Sequence, residues 1–364
     1  LHSEFLEEAV NRLFISAVKS EGLKPVAPPK ITLKKFVPFT VLEFEAQVEA
    51  IGEVKLPNYK TIKMKKPEIK LSDKDVSEVI NSLKTRLAER KKVARVSRSG
   101  DEITFDFKGT DEDGKPINGA EGKDYPIMIG SNTFIPGFEP NLVGLKASQE
   151  KTFKVVFPKD YGVATLQNKK VTFWIKVGSV SEVIEPKVDD AFAAKAGPFK
   201  SLSELKADIK KQLTAERQAQ ADQAYQDQLV KKIADKSSVA IPGSLIENQV
   251  NRNEQTTRQN VMYRGQTWQE FLKQEGVTEE EYRERLKPEA QQNVKAGLVL
   301  SEIADKENLV VTPEELEIRI QLLKGQYKDA QMQAELDKPE NRRDIEGRIL
   351  TEKTVARLVS YATS

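Results

Sequence analysis

The spacing of apolar residues along the chain switches repeatedly between a helical and a strand period. In SEFLEEAVNRLFISAVKSEG, residues 3–22, Phe5, Val10, Leu13, Phe14 and Val18 fall on one side of a helix that Gly22 ends. KFVPFTVLEFEAQVEA, residues 35–50, is strand-like, and a helix with a short sheet makes a small α+β domain or part of one. LSDKDVSEVINSLKTRLAERKKVAR, residues 71–95, predicts a connecting helix with Ser72 or Asp73 as its N-cap. From Asp101 to Glu182 short runs of period two take over. ITFDFKG, DYPIMIG, KTFKVVFP and KVTFWIKVGSV read as strands, with Glu112-Asp113-Gly114 as a hairpin turn. Ten of the 25 aromatic residues lie in this stretch, which therefore has a well-filled interior.

Beyond Glu185 the pattern is helical to the end. Residues 201–236 form one long helix opened by a capping box from Ser201 to Glu204. Residues 241–276 give a second helix broken near Gly265, and a third starts in residues 277–309. In VTPEELEIRIQLLKGQ, Thr312 caps, Pro313 takes the first helical position and Glu315 completes the box; residues 340–362 close the chain. The apolar stripes are thin and the linkers short, so these helices do not all bury themselves in one core. They are expected as arms stacked in pairs, with apolar side chains left at the surface.

Composition removes much of chemistry from consideration. The 364 residues suggest two to four domains. Cysteine is absent and the one histidine is His2, so disulfides, thiolate nucleophiles, a Ser-His-Asp triad and multi-His metal sites have nothing to be built from. No cofactor or metal is expected. A net charge of +2 does not describe a polycation, yet residues 51–99 carry fourteen Lys/Arg against six Asp/Glu. No apolar run is long enough to span a membrane, and a cytoplasmic protein without membrane contact is expected.

One stretch concentrates the candidate chemistry. GSNTFIPGFEPNLVG, residues 130–144, sets Phe134, Ile135 and Phe138 among three glycines. Pro136 near its start and Gly144 past its end predict a short helix, with Glu139 in the first turn favouring the dipole. On spacing alone, Phe138 and Leu142 are as readily a core-facing stripe as the floor of a pocket.

FDFKG, DEDGKPI, IGSNTFIPGFEPNLVG, FPKDYG and KKVTFWIKV, in that order, resemble the FK506-binding (FKBP) class of peptidyl-prolyl isomerase. With PVAPPKI and VEAIGEVKLPNYKTIKMKKP before them and long helices after, the whole order is similar to the trigger factor family of ribosome-associated chaperones. The resemblance implies a multidomain α+β chain. Its parts would be the remainder of an N-terminal α+β domain at 1–64, a linker helix at 65–99, an FKBP-like antiparallel β domain with a short helix at 100–185, and a mostly helical client-cradling domain at 186–364. The family's Gly-Phe-Arg docking loop has no match here and by the family pattern would precede Leu1, so ribosome contact is expected through a segment outside this chain. The basic run at 51–99 is then either a solvated helix face or a contact with ribosomal RNA.

Carried over by motif, Phe107, Tyr125, Phe134, Ile135, Phe138, Tyr161 and Phe173 form the implied catalytic pocket. Phe138 is the floor under the prolyl ring, Phe107, Tyr125 and Phe173 are walls, and the Ile135 N–H and Tyr161 hydroxyl hold substrate carbonyls. Asn118 stands where the family commonly has an acidic residue, and Phe138 where it has tryptophan. Phe105 and Trp174 are expected to point away from the site, and Val155 and Phe157 to be core. Met262, Tyr263, Trp268 and Phe271 are the candidate client-contacting surface, against the alternative that they are packing. The implied partners are nascent or unfolded polypeptides, proline-containing ones especially, the ribosome, and a second copy of the chain when off the ribosome. The rival readings are a dedicated isomerase whose helices serve dimerisation or targeting, and a catalytically silent peptide-binding module.

Overall fold

The computed structural model describes residues 2–37, 40–161 and 166–363. The side chains of residues 2–5, 7 and 118, and with them the expectations for Phe5 and Asn118, lie outside the described set. The chain divides into two units: residues 69–218, and residues 1–68 together with 219–364.

The 69–218 unit is built on a five-stranded antiparallel sheet of β3 (Glu89–Lys92), β4 (Glu102–Thr110), β5 (Pro116–Met128), β6 (Glu150–Val156) and β7 (Lys170–Ile184). β7 is the axis: β4 lies along one side of it, while β6 and β3 share the other, β6 pairing with residues 170–176 and β3 with residues 181–184. β5 pairs with β4 at the far edge. Period two decides which face is buried. Ile103, Phe105 and Phe107 of β4, Phe153 and Val155 of β6, and Val171, Phe173, Ile175 and Val177 of β7 all enter one core. The expected hairpin turn is present, with the Asp111 carboxylate accepting the N–H groups of Asp113 and Lys115.

Two elements differ from expectation. Helix α2 (Asp73–Arg86), capped by Ser72 in a reciprocal box with Asp75, stops at Arg86 instead of running to Arg95. Its continuation, Glu-Arg-Lys-Lys, has no apolar face to bury as a helix, and its backbone groups are satisfied as β3 on the free stretch of β7. The short helix expected from Pro136 is one 3-10 turn, Glu139–Leu142, with Phe138 as its cap. Gly137 at φ +87° occupies the left-handed region, through which a right-handed helix does not pass, so the turn starts after it. α2 buries Ile80 against Phe192 of α3 (Asp190–Ala196) and Leu205 and Ile209 in the first turns of α4 (Leu202–Lys236). At the start of α4, Ser201 accepts the Glu204 N–H, while the Glu204 carboxylate accepts from Lys200.

In the other unit, α1 (His2–Ser20) buries Val10 and half-buries Phe14 and Val18. Leu13, expected on the apolar face, is exposed, as is Ile15. β1 (Lys30–Val37) and β2 (Val41–Gln47) form a bulged hairpin. The helical part comprises the rest of α4, then α5 (Gly243–Tyr263), α6 (Trp268–Glu275), α7 (Glu279–Lys306), α8 (Pro313–Lys324), α9 (Ala330–Glu335) and α10 (Pro339–Thr363). Thr267, Thr278 and Thr312 each cap a helix in a reciprocal box with the glutamate three residues on. Helices pack in pairs, α5 on α7 and α8 on α10. Leu229, Ile233, Val299, Ile303 and Leu358 make one small core with Tyr59 and Ile62, and Ile320, Ile345 and Ile349 another. No helix among the described residues is long and apolar enough to cross a membrane.

Candidate active site

The sheet of the 69–218 unit gathers aromatic rings at one end of its core. β4 supplies Phe105 and Phe107, β5 Tyr125, β6 Phe153 and β7 Phe173, and the segment after β5 adds Phe134 and Phe138. Phe138 lies fully buried in their midst. Its ring centroid is 5.1 Å from Phe153 and from Phe173, both edge-on, 5.8 Å from Phe105 and 4.2 Å from Phe134. Phe107, Tyr125 and Phe134 meet edge-to-face at 5.7–5.8 Å. These are the mutually favourable geometries for ring quadrupoles. The close approach depends on Gly122, where a Cβ would lie 2.6 Å from the Phe107 ring.

Phe105 corrects the expectation that it points away. Residues 105 and 107 are two apart on one strand and share a face, and Phe105 is fully buried against Phe107, Tyr125, Phe134 and Phe138. Trp174 does lie on the opposite face, where its indole N–H donates to Glu150 at 3.2 Å and Lys108 sits over its ring. Val155 and Phe157 are core, and Phe157 also carries the half-buried Tyr161 ring at 4.7 Å.

The residue that shapes the loop is Glu139. Its buried carboxylate accepts the backbone N–H groups of Gly130 at 2.8 Å, Asn132 at 3.1 Å, Thr133 at 2.9 Å and Phe134 at 3.3 Å, and the Ser131 hydroxyl at 3.3 Å. Burial alone would push its pKa up, but the four N–H donors outweigh it and hold the group below its ordinary value. From the sequence, Glu139 is only a partner of the helix dipole. The signal for its larger role is the Gly-Ser-Asn-Thr run, whose turn-forming backbone needs an acceptor.

Within this loop the Ile135 carbonyl accepts the Phe138 N–H at 3.1 Å, while the Ile135 N–H has no partner among the described residues. The hydroxyls of Tyr125 and Tyr161 likewise have none among the described residues. The seven pocket candidates lie together on one aromatic cluster, the proposed cup: Phe107, Phe138 and Phe173 are buried in it, Phe134, Ile135 and Tyr161 are half-buried at its rim, and Tyr125 is exposed. Ile117, unremarked in the sequence, joins that rim. Among the described residues no three acidic or histidine side chains converge as metal ligands.

The four candidates in the helical region separate into two pairs. Met262 is 67 % and Tyr263 85 % exposed at the end of α5. Trp268 and Phe271 instead stack at 5.1 Å, are both closed edge-on by Tyr282, and Trp268 has the Arg258 guanidinium 4.2 Å from its ring. Ile318 and Leu322 of α8, which no sequence pattern marks, are also exposed. An open cleft of about 760 Å³ lies between α4, α7 and α10, lined by charged, amide and apolar side chains including Gln223, Asp227, Val230, Asn293, Leu300 and Glu352.

A five-stranded antiparallel sheet packed on a cluster of aromatic rings is the architecture of an isomerase domain of the FKBP class. Residues 94–178 match the family described as FKBP-type peptidyl-prolyl cis-trans isomerase. Residues 1–83 match the bacterial trigger factor protein family and residues 201–360 its C-terminus. The trigger factor of Caldicellulosiruptor bescii is 33% identical over 326 residues, covering 90% of this chain and 74% of its own length. That of Clostridioides difficile is 32% identical over 365 residues, 100% of this chain and 85% of its own. A solved structure of the trigger factor chaperone, reported for promiscuous substrate recognition in folding and assembly activities, superposes with a TM-score of 0.53 at 20% identity. It covers 99% of this chain and 85% of that one, and shows the shared fold. The chain belongs to the trigger factor family: it is a chaperone of nascent polypeptides that carries an FKBP-type isomerase domain.

Proposed function

We propose that the aromatic cup is where Xaa-Pro bonds are isomerised. Rotation about the imide needs neither nucleophile nor proton transfer, only a lowering of the roughly 18–20 kcal/mol resonance barrier. A cup of rings without water disfavours the charge-separated planar amide relative to the twisted state. Phe138 is the floor for the prolyl ring, Phe107, Tyr125 and Phe173 are its walls, and the Ile135 N–H and Tyr161 hydroxyl fix the flanking carbonyls. The observation that carries this reading is an Ile135 N–H without a partner among the described residues, beside a cluster of buried rings, a donor waiting for an acceptor in an apolar site. Phe173→Leu in the full chain is expected to slow cis/trans exchange of an Xaa-Pro peptide by about ten- to a hundredfold. Unchanged exchange would remove the cup from the mechanism.

Client holding belongs to a different surface. Exposed Met262 and Tyr263 favour contact with unfolded polypeptides, and the isomerase directs the protein toward proline-containing ones. The division into 1–64, 65–99, 100–185 and 186–364, a cytoplasmic location and a homodimer off the ribosome complete this reading. Limited proteolysis and sedimentation of the full chain test the boundaries and the dimer.

A further inference from the structure

The floor of the cup is covered by its own rim. Phe138 has no exposed surface, and four rings pack around it. Three of them, Phe105, Phe153 and Phe173, are themselves buried and belong to sheet strands. The fourth, Phe134, is half-buried, lies on the loop, and comes closest, with 4.2 Å between centroids and 35° between the ring planes. A prolyl ring placed flat on Phe138 would need the space that Phe134 holds.

We infer that Phe134 is a specificity-determining cover, which a prolyl substrate must displace to reach Phe138. The inference rests on the cup being the isomerase site and adds a step to it. The loop is arranged for displacement of the ring alone: the Thr133 and Phe134 N–H groups are both bound by the Glu139 carboxylate, so the backbone stays in place while the side chain rotates. Rotation about a side-chain bond of a half-exposed residue is fast compared with imide isomerisation. Once Phe134 swings away, the Phe138 ring regains its packing only from an occupant that covers it as well as Phe134 does. Apolar ring-shaped occupants are therefore selected, and small or polar residues at the same position leave the floor uncovered.

The test is exchange spectroscopy on the full chain with the peptide Ala-Leu-Pro-Phe, comparing wild type with Phe134→Leu and Phe134→Ala. Loss of one aromatic contact from the free state is expected to lower KM by about two- to tenfold, a change read separately from whatever happens to kcat. A mere wall residue would do the opposite, raising KM when shortened. KM unchanged or raised in both variants overturns the cover. A second readout is independent of turnover: the Phe138 ring protons, shielded by Phe134 in the free protein, are expected to shift on titration with the peptide, and to sit at the unshielded position in Phe134→Leu from the start. Identical Phe138 shifts in wild type and Phe134→Leu also overturn it. An inactive wild type would sink the assignment of the cup to isomerisation, whereas an active wild type with unchanged KM in the variants sinks the cover alone.

Discussion

The aromatic cup and the helical surface use their apolar residues in opposite ways. In the cup, Phe105, Phe107, Phe138, Phe153 and Phe173 are held by one another and by a sheet whose register fixes where each ring points. On the helices, Met262, Tyr263, Ile318 and Leu322 stand in the open on α5 and α8, and their positions are set by one helix each. Isomerisation requires walls held in fixed places around one imide, even where Phe134 must move aside to admit it, and a chaperone's clients share no shape at all. Close packing suits the first task, and exposed flexible side chains, methionine above all, suit the second.

Removing Phe138 should break the comparison most forcefully. Phe138→Ala deletes a fully buried ring with four aromatic neighbours, and an unfolding titration of the full chain should show a loss of about 3–5 kcal/mol in the transition that carries the sheet. A loss below about 1 kcal/mol would mean that the cluster collapses readily and that packing does not hold its walls in place.

A smaller effect is expected in the other unit, at Glu307. Lys60 at 2.8 Å and the hydroxyls of Tyr361 at 2.6 Å and Tyr59 at 2.7 Å all converge on this carboxylate and hold its pKa down to about 2. Because the folded value lies below the ordinary one, near 4.3, the stabilisation is fully present above the ordinary value and is lost as pH falls toward the folded one. The difference in stability between wild type and Glu307→Gln should therefore shrink as pH falls from about 5 to about 2. A difference independent of pH across that window would show that the cluster contributes nothing through ionisation. Tyr59→Phe, which removes one of the donors, should cost about 1 kcal/mol at neutral pH.

The same two regions differ in how far they could be read in advance. Local signals were reliable: Thr312, Pro313 and Glu315 form the cap their order announces, because all the atoms involved lie within one turn. Period two also carried the strands, and applied strictly it would have put Phe105 beside Phe107. What was harder to read depended on contacts that only the folded chain makes. Glu-Arg-Lys-Lys became β3 because β7, some ninety residues on, offers an unpaired edge. Glu139 took its role from four N–H groups that only the folded loop brings together. Trp268 and Met262 look alike as apolar residues in a polar stretch, yet Tyr282 of α7 and Arg258 of α5 cover the first, and the second stays exposed.

That last contrast yields the smallest change in stability and the sharpest separation of roles. Met262 and Tyr263 bury little, so replacing both with serine should leave the unfolding free energy within about 0.5 kcal/mol of wild type. Trp268→Ala removes a stacked, cation-covered ring and should cost about 1–2 kcal/mol. Suppression of aggregation of an unfolded client by the full chain should move the other way, falling in Met262→Ser/Tyr263→Ser and holding in Trp268→Ala at a temperature where both are folded. Equal suppression by wild type and the double variant would place client contact elsewhere, with the exposed pair Ile318 and Leu322 next in order. Loss of suppression in Trp268→Ala alone would make the packed aromatic trio, and not the bare end of α5, the surface that clients use. In either outcome exchange of Xaa-Pro peptides should be unaffected, since none of these side chains belongs to the sheet that holds the cup.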